Sequence, residues 1–294
     1  MSIKDFLRGF RDFLTSEDTK FILILFRRNF LNIVGTAIIL LLVFTAIFAP
    51  VLSPYDPIAQ NMDERLAPPS WKHILGTDQL GRDILSRVIW GSRISLLIAV
   101  VVVSISLLIG LFLGTISGYF GGWIDEIIMR LTDMFMAFPR LILALAVAAA
   151  LGPGIFNTMM AISFVSWPLY ARLARATALQ IRNETYIEAA RAIGASTARI
   201  IFRHLVPMTL PPILIQATLD MGGTILTAAG LGFLGLGVQP PTPEWGVMVS
   251  DGRRFITEQW WVSTFPGLAI LLATFGFNLI GDGLRDIMDV RAKR

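Results

Sequence analysis

The chain has 294 residues, of which 54% are hydrophobic and 16% charged, and its mean hydropathy is +0.67. A soluble domain carries about 25% charged residues, so a single soluble domain is disfavoured, and disorder, which needs low hydrophobicity with high net charge, is excluded. There are no cysteines and only two histidines, His73 and His204, which excludes disulfides, thiol catalysis, cysteine-ligated metal and a His-rich metal site. The net charge of +4 is modest; its distribution carries more information than its size.

The first segment, residues 1–30, is expected to be a cytoplasmic amphipathic piece. Phe6, Leu7, Phe10, Phe13 and Leu14 share one helical face and Lys4, Arg8, Arg11 and Asp12 the other, a pattern suited to the inner membrane surface or to packing on a bundle. Residues 31–290 read as a membrane domain. Six apolar stretches approach the roughly twenty residues that cross a hydrocarbon core about 30 Å thick. The first, Leu31 to Leu52, begins too late, is too long and lacks the cleavage pattern of a signal peptide. After a loop at 53–93, the second stretch runs from Ile94 to Ile116. Gly110, Gly114 and Gly118 recur every fourth residue in and just after it, so one helical face admits a close neighbour. The third stretch, Ile127 to Leu151, is interrupted by Arg130, Asp133 and Arg140, and the fourth, Ile155 to Leu173, is the least apolar. A basic loop at 174–207 follows. The fifth stretch, Leu210 to Leu236, is rich in small residues and contains Asp220; a loop at 239–261 precedes the sixth, Val262 to Ile280, and residues 291–294 form a tail. None of the stretches alternates with period two, so the spans are helices and the fold class is all-α, polytopic, with six transmembrane helices.

Orientation follows from the cations in the flanks. Six lie before the first span, six between Arg172 and Arg203, and four after the sixth span; the opposite loops hold Arg65, Lys72, Arg82, Arg87, Arg93, Arg253 and Arg254. Sixteen against seven places both termini and the 174–207 loop in the cytoplasm. Trp90, Trp260 and Trp261 then fall where outer interfacial aromatics are expected.

Charges inside spans are costly and face a bundle interior or water. Asp133, Arg140 and Asp220 are therefore candidate path-lining residues, with structural hydrogen bonding as the other reading for Asp220. Arg130 and Asp133, three apart on one face, are a candidate pair. Arg82 with Asp83, and Asp282 with Arg285, read as structural ion-paired positions, with contact to a partner protein as the other reading for Arg82 and Asp83. No GxxxxGK[ST] segment exists, so the chain has no phosphate-binding loop of its own. GFLGLG at 232–237 has dinucleotide-motif spacing but lies in an apolar segment without a strand–turn–helix setting. No catalytic constellation appears, so the chain is read as no enzyme, with no cofactor, metal or nucleic-acid partner of its own.

The 174–207 loop is the most specific segment. In YIEAARAIGASTARIIFRHLVP, Tyr186 to Pro207, a helix ends near Gly194 and a second restarts at Ala195 or Ser196. Such a helix pair suits contact with a partner protein; a solvated basic loop is the other reading. Glu188-Ala189-Ala190, Gly194 after three intervening residues and a hydrophobic–Pro ending resemble the EAA loop of ATP-binding-cassette importer permeases, with His204 where Ile is common and Val206-Pro207 where Leu-Pro is common. LGTDQLGRD at 75–83, FLGLGVQPPTPEWG at 233–246 and FNLIGDGLRDIMD at 277–289 resemble the C-type permease of dipeptide and oligopeptide importers, a group that includes nickel and glutathione permeases. The resemblance covers about Arg28 to Asp289. It implies the type I ABC importer permease fold, a second (B-type) permease subunit as partner, two ATPase subunits that carry ATP and Mg, an extracytoplasmic binding protein and a peptide substrate. It also implies coupling roles for Glu188, Ala189, Ala190 and Gly194, with Arg191 and Arg203 as rim contacts. A stand-alone channel or secondary transporter, the rival class, needs no such loop.

Overall fold

The computed structural model describes residues 29–292; the amphipathic pattern at residues 4–15 lies outside them. Among the described residues every regular element is helical, with one isolated bridge between Thr77 and Asp83. Helix α1 spans Phe30–Ile47, capped by the Asn29 side chain, which accepts the Leu31 N–H at 3.0 Å. A short α2 (Ala49–Leu52) leads into the first long loop. Helix α3 runs from Ile84 to Phe120, 37 residues, about 55 Å at 1.5 Å per residue. It begins ten residues before its apolar stretch, so the end of the expected 53–93 loop is helical. Helices α4 (Gly122–Met136) and α5 (Arg140–Leu151) are one apolar stretch broken at Pro139 and bent by 91°. Helix α6 spans Ile155–Ile181. Two short helices, α7 (Thr185–Ala192) and α8 (Thr197–Ile200), precede a π-helical turn at Ile201–Leu205, which passes directly into α9 (Val206–Phe233). Helix α10 (Trp245–Gly252) and the long α11 (Trp261–Ala292) complete the chain. By length and composition four helical segments suffice to cross a membrane, and the bent α4–α5 pair makes a fifth. Helix α6 has the length, but Ser, Thr, Asn, Gln and Arg dilute its apolar content; it is the stretch that reads as least apolar.

The tightest packing in the bundle joins α3 to α6. A Cβ on Gly110 would stand 2.3 Å from the Tyr170 Cβ, on Gly114 2.2 Å from the Ala171 carbonyl oxygen, and on Gly118 2.8 Å from the Ala178 Cβ. Glycine on one helix faces alanine and backbone on the other. In lipid, where no hydrophobic effect drives helices together, such close approach supplies the dispersion contact that does. Gly281 and Gly283 seat α11 in the same way, against Leu219 of α9 and the Asn32 side chain of α1.

At one end of α3 the first loop folds into a cap. Asp83 is the helix N-cap, accepting the Ser86 N–H at 2.8 Å, and also accepts the Ser86 hydroxyl at 2.7 Å and faces His73 Nδ1 at 2.8 Å. Asp78 takes the N–H groups of Leu80 and Arg82 and the Arg82 Nε at 2.6 Å. Gly81, at φ +69°, has its α-carbon turned onto Asn61, and a Cβ would lie 1.7 Å from the Asn61 carbonyl oxygen. LGTDQLGRD is thus a closed turn in which Arg82 and Asp83 serve different partners. Trp261 is buried in this cap and donates to the Thr77 carbonyl at 3.3 Å, so it is a core residue, while Trp260 stays exposed.

Glu64 is the rim of the cap. The Lys72 ammonium bonded to it, and next the His73 ring, hold its carboxyl below the usual carboxylate range. A carboxyl depressed on folding stabilises above its ordinary value near 4.5 and ceases to do so as pH falls through the lowered one. Glu64→Gln is therefore expected to melt below the parent protein at about pH 7, with the gap closing progressively below about pH 4.5. Melting curves across that range check it.

The segment FLGLGVQPPTPEWG turns α10 back onto the end of α9. A Cβ on Gly246 would meet the Ala229 carbonyl oxygen at 2.3 Å, and one on Gly237 the Gly232 α-carbon at 2.5 Å. Glu244 caps α10, accepting the N–H groups of Gly246 and Val247 and the Ser95 hydroxyl. Burial pushes its carboxyl up against the lowering effect of those donors. Of the dinucleotide-like glycines, Gly232 and Gly237 are packing positions, and Gly235, at φ +85° with open space around it, is a turn position.

Candidate functional site

Two places bring together the residues singled out in the sequence. The first is the α7–α8 corner, at the end of α3 remote from the cap. Ile187 and Ala190 of α7 are buried with Ile181, Ile200 and Leu205, while Glu188 and Ala189 face outward. Helix α7 closes with the Ala195 N–H on the Ala190 carbonyl at 3.0 Å, and Gly194 between them stands at φ +82° with open space around its α-carbon. Only glycine takes that conformation without strain. Ser196 then caps α8, accepting the Arg199 N–H at 3.4 Å. The corner presents Ile193, 86% exposed, with Tyr186 and Phe202 also exposed. Composition gave no reason to single out Ile193: an apolar residue in a helical loop reads as core, and only the αL turn beside it pushes it out. Among the described residues Glu188 and Arg203 have no ion-pair partner. Arg191 differs: its guanidinium stacks 5.3 Å from the Tyr119 ring and ties α7 to α3. Arg182 donates to the Gly118 carbonyl at 2.9 Å and so caps α3, a cation at a helix C-terminus.

The second place is the bend between α4 and α5. Arg140, the first residue of α5, reaches Asp220 in the middle of α9 and also donates to the Thr224 hydroxyl at 2.9 Å. The Tyr170 hydroxyl of α6 donates to the other Asp220 oxygen at 3.0 Å. Asp220 is fully enclosed, with 4% of its side chain exposed against 29% for Arg140. Arg140 borders a cavity of about 240 Å3 walled by Phe135, Phe138, Leu143, Ser166 and Pro168. Of the candidate path residues, Arg140 reaches open space and Asp220 stands behind it as its counter-charge.

Asp133 is elsewhere. It is exposed and accepts from Arg172 of α6 at 2.6 Å, while Arg130 pairs with Glu126 one turn back. The expected Arg130–Asp133 pair is thus replaced, because an i,i+4 carboxylate and a cation on the neighbouring helix are better placed. Asp282 and Arg285 are both exposed and no ion pair joins them. The bidentate Arg175–Asp125 pair, with Arg175 Nη2 to Asp125 Oδ2 at 2.6 Å, links α6 to α4. Its partners are fifty residues apart, beyond any local spacing rule.

The sequence profile described as binding-protein-dependent transport system inner membrane component matches residues 107–294, and that of the N-terminal TM domain of oligopeptide transport permease C matches residues 22–69. The chain is similar to the "Probable D,D-dipeptide transport system permease protein DdpC" of Escherichia coli, 50% identical over 262 residues, 89% of this chain and 88% of that one. It is 49% identical over 265 residues to the di/tripeptide transport system permease protein DppC of Pseudomonas aeruginosa, 88% of each chain. Among solved structures, a chain of the MetNI methionine ABC transporter in an inward-facing conformation superposes with a TM-score of 0.55 over 70% of this chain and 97% of its own, at 19% identity. That likeness shows the fold: an all-helical ABC importer permease. The chain therefore belongs to the inner membrane components of binding-protein-dependent transport systems.

Proposed function

We propose that the chain is one of two permease subunits of an ATP-driven importer of dipeptides and short oligopeptides, with both termini and the α7–α8 corner in the cytoplasm. A second, B-type permease completes the path. Two ATPase subunits carry ATP and Mg and seat against α7 and α8; an extracytoplasmic binding protein delivers the peptide. The observation that carries the coupling role is the corner itself: a rigid αL turn that holds exposed Ile193 and unpaired Glu188 at the end of the bundle. An apolar knob with an adjacent charge suits insertion into a groove on another protein. The peptide reading is supported by the transport named in both relatives above. ATPase closure biases the bundle only if its contacts with α7 and α8 differ between the bundle's states.

Gly194→Asp tests the coupling. Gly194 has nothing within 4 Å, so the variant folds, but αL strain of about 1 kcal/mol displaces the corner. Membrane levels are expected to match the parent, with peptide uptake reduced at least about tenfold. Normal uptake by this variant would overturn the reading. A mild-detergent pulldown from native membranes should recover a second permease and the ATPases; recovery of the chain alone would favour a stand-alone transporter. Competition of uptake by peptides, glutathione and nickel chelates assigns the substrate.

A further inference from the structure

The end of the bundle remote from α7 and α8 carries a polar cleft of about 590 Å3 between residues 62–80 and residues 250–255. On the orientation proposed above this is the extracytoplasmic side, where the chain places only seven Lys and Arg. Three of them are paired: Arg82 and Arg87 are buried and bonded to Asp78, and Lys72 is paired with Glu64. Arg93 is exposed, stacks 5.1 Å from the Trp90 ring and lies outside this cleft. The other three, Arg65, Arg253 and Arg254, are exposed, have no ion-pair partner among the described residues, and all line this one cleft. Arg253 rests 5.5 Å from the Phe233 ring, which holds its guanidinium in place without neutralising it. The one carboxylate in the wall, Asp251, is 3.5 Å from Arg82.

The cleft is also rigid. Arg82 bridges Asp78 of the first loop and Asp251 at the end of α10, which locks its two walls together before anything binds. A preformed surface loses little freedom on association.

We infer that this cleft docks an acidic surface of the substrate-delivering binding protein. The inference rests on the importer reading. Three unpaired guanidinium groups on a side otherwise poor in free cations attract an acidic partner over a Debye length and fix its register. They contribute mainly to the rate of encounter, so their effect depends on salt.

The test uses the whole complex in nanodiscs with its binding protein, and reads the binding-protein concentration that half-maximally stimulates ATP hydrolysis. Arg65→Glu/Arg253→Glu/Arg254→Glu is expected to raise it at least about tenfold at low salt, and less at high salt, with unstimulated hydrolysis unchanged. Arg93→Glu, on the same side but outside the cleft, is expected to leave it unchanged. An unshifted triple variant overturns the inference. So does an equal shift from Arg93→Glu, which would mark a general charge effect, or a shift that follows anionic lipid content, which would assign the cleft to headgroups. Failure to recover ATPases at all would strike the importer reading instead; an intact, stimulated complex that ignores the triple variant strikes only the cleft.

Discussion

Gly114→Leu is expected to leave almost no folded protein in the membrane. Even a Cβ at this position would stand 2.2 Å from the Ala171 carbonyl oxygen and 2.6 Å from the Ala174 Cβ. Overpacking in a core typically costs about 1–3 kcal/mol. Here the obstacle is backbone, which cannot move aside as a side-chain tip can, and the clash lies midway between Gly110 and Gly118, so the helices cannot hinge away from it at one end. The loss therefore falls at or above the top of that range, against a total stability of about 5–15 kcal/mol. Gly267→Ala is the control. Nothing lies within 4 Å of its added carbon, and alanine in a helix is favoured over glycine by about 0.5–1 kcal/mol. Membrane levels of the two variants, followed by fluorescence-detected gel filtration, separate a packing role for the seam from a general intolerance of change.

Asp220→Ala is expected to be the most damaging single loss of a polar group. It removes the acceptor of Arg140 and Tyr170 at once. Breaking a buried ion pair costs about 3–5 kcal/mol; because Arg140 is partly exposed, we expect about 2–3 kcal/mol, below most of that range. Arg140→Met/Asp220→Leu is expected to recover most of this stability, since an apolar pair of similar volume avoids the uncompensated charge. It is not expected to recover transport, because Arg140 at the cavity wall is gone. Melting temperatures of Arg140→Met, Asp220→Leu and the double variant close the cycle. Additive losses would show that the two side chains act separately.

Much of this architecture was legible in the sequence, for reasons that differ from element to element. The Gly110, Gly114 and Gly118 repeat announced a close approach because spacing by four defines a helix face. It did not name α6 as the neighbour, since alanines at 171, 174 and 178 are unremarkable in any apolar helix. Asp220 and Arg140 were conspicuous as charges in apolar stretches, and Gly194 as a break in a helical pattern. Their partners were not. Arg140 finds Asp220 eighty residues on, and Arg175 finds Asp125 across two helices, whereas a local rule offered Arg130 the wrong carboxylate. The long helices also run beyond the apolar stretches: α3 starts ten residues before Ile94, inside the cap, and α11 continues twelve residues past Ile280. The Arg65, Arg253 and Arg254 cleft was invisible for a related reason: its walls come from loops joined only by the fold.

The α3–α6 seam has a mechanical meaning. A joint of backbone against backbone has few rotamers to exchange, so it has few alternative packings and behaves as a weld. α3 and α6 then form a stator that reaches from the cap to the α7–α8 corner. The hydrogen-bond ladder is interrupted most at the elbow around Pro139 and in the π-helical turn at Ile201–Leu205, and singly at Pro168, Pro211, Pro212 and Pro266, and these are the points where a helix bends most easily. The first two joints stand at the base of α5 and of α9, the helices that Arg140 and Asp220 fasten to each other. The ion pair thus acts as a tie-rod between the two arms that these joints carry.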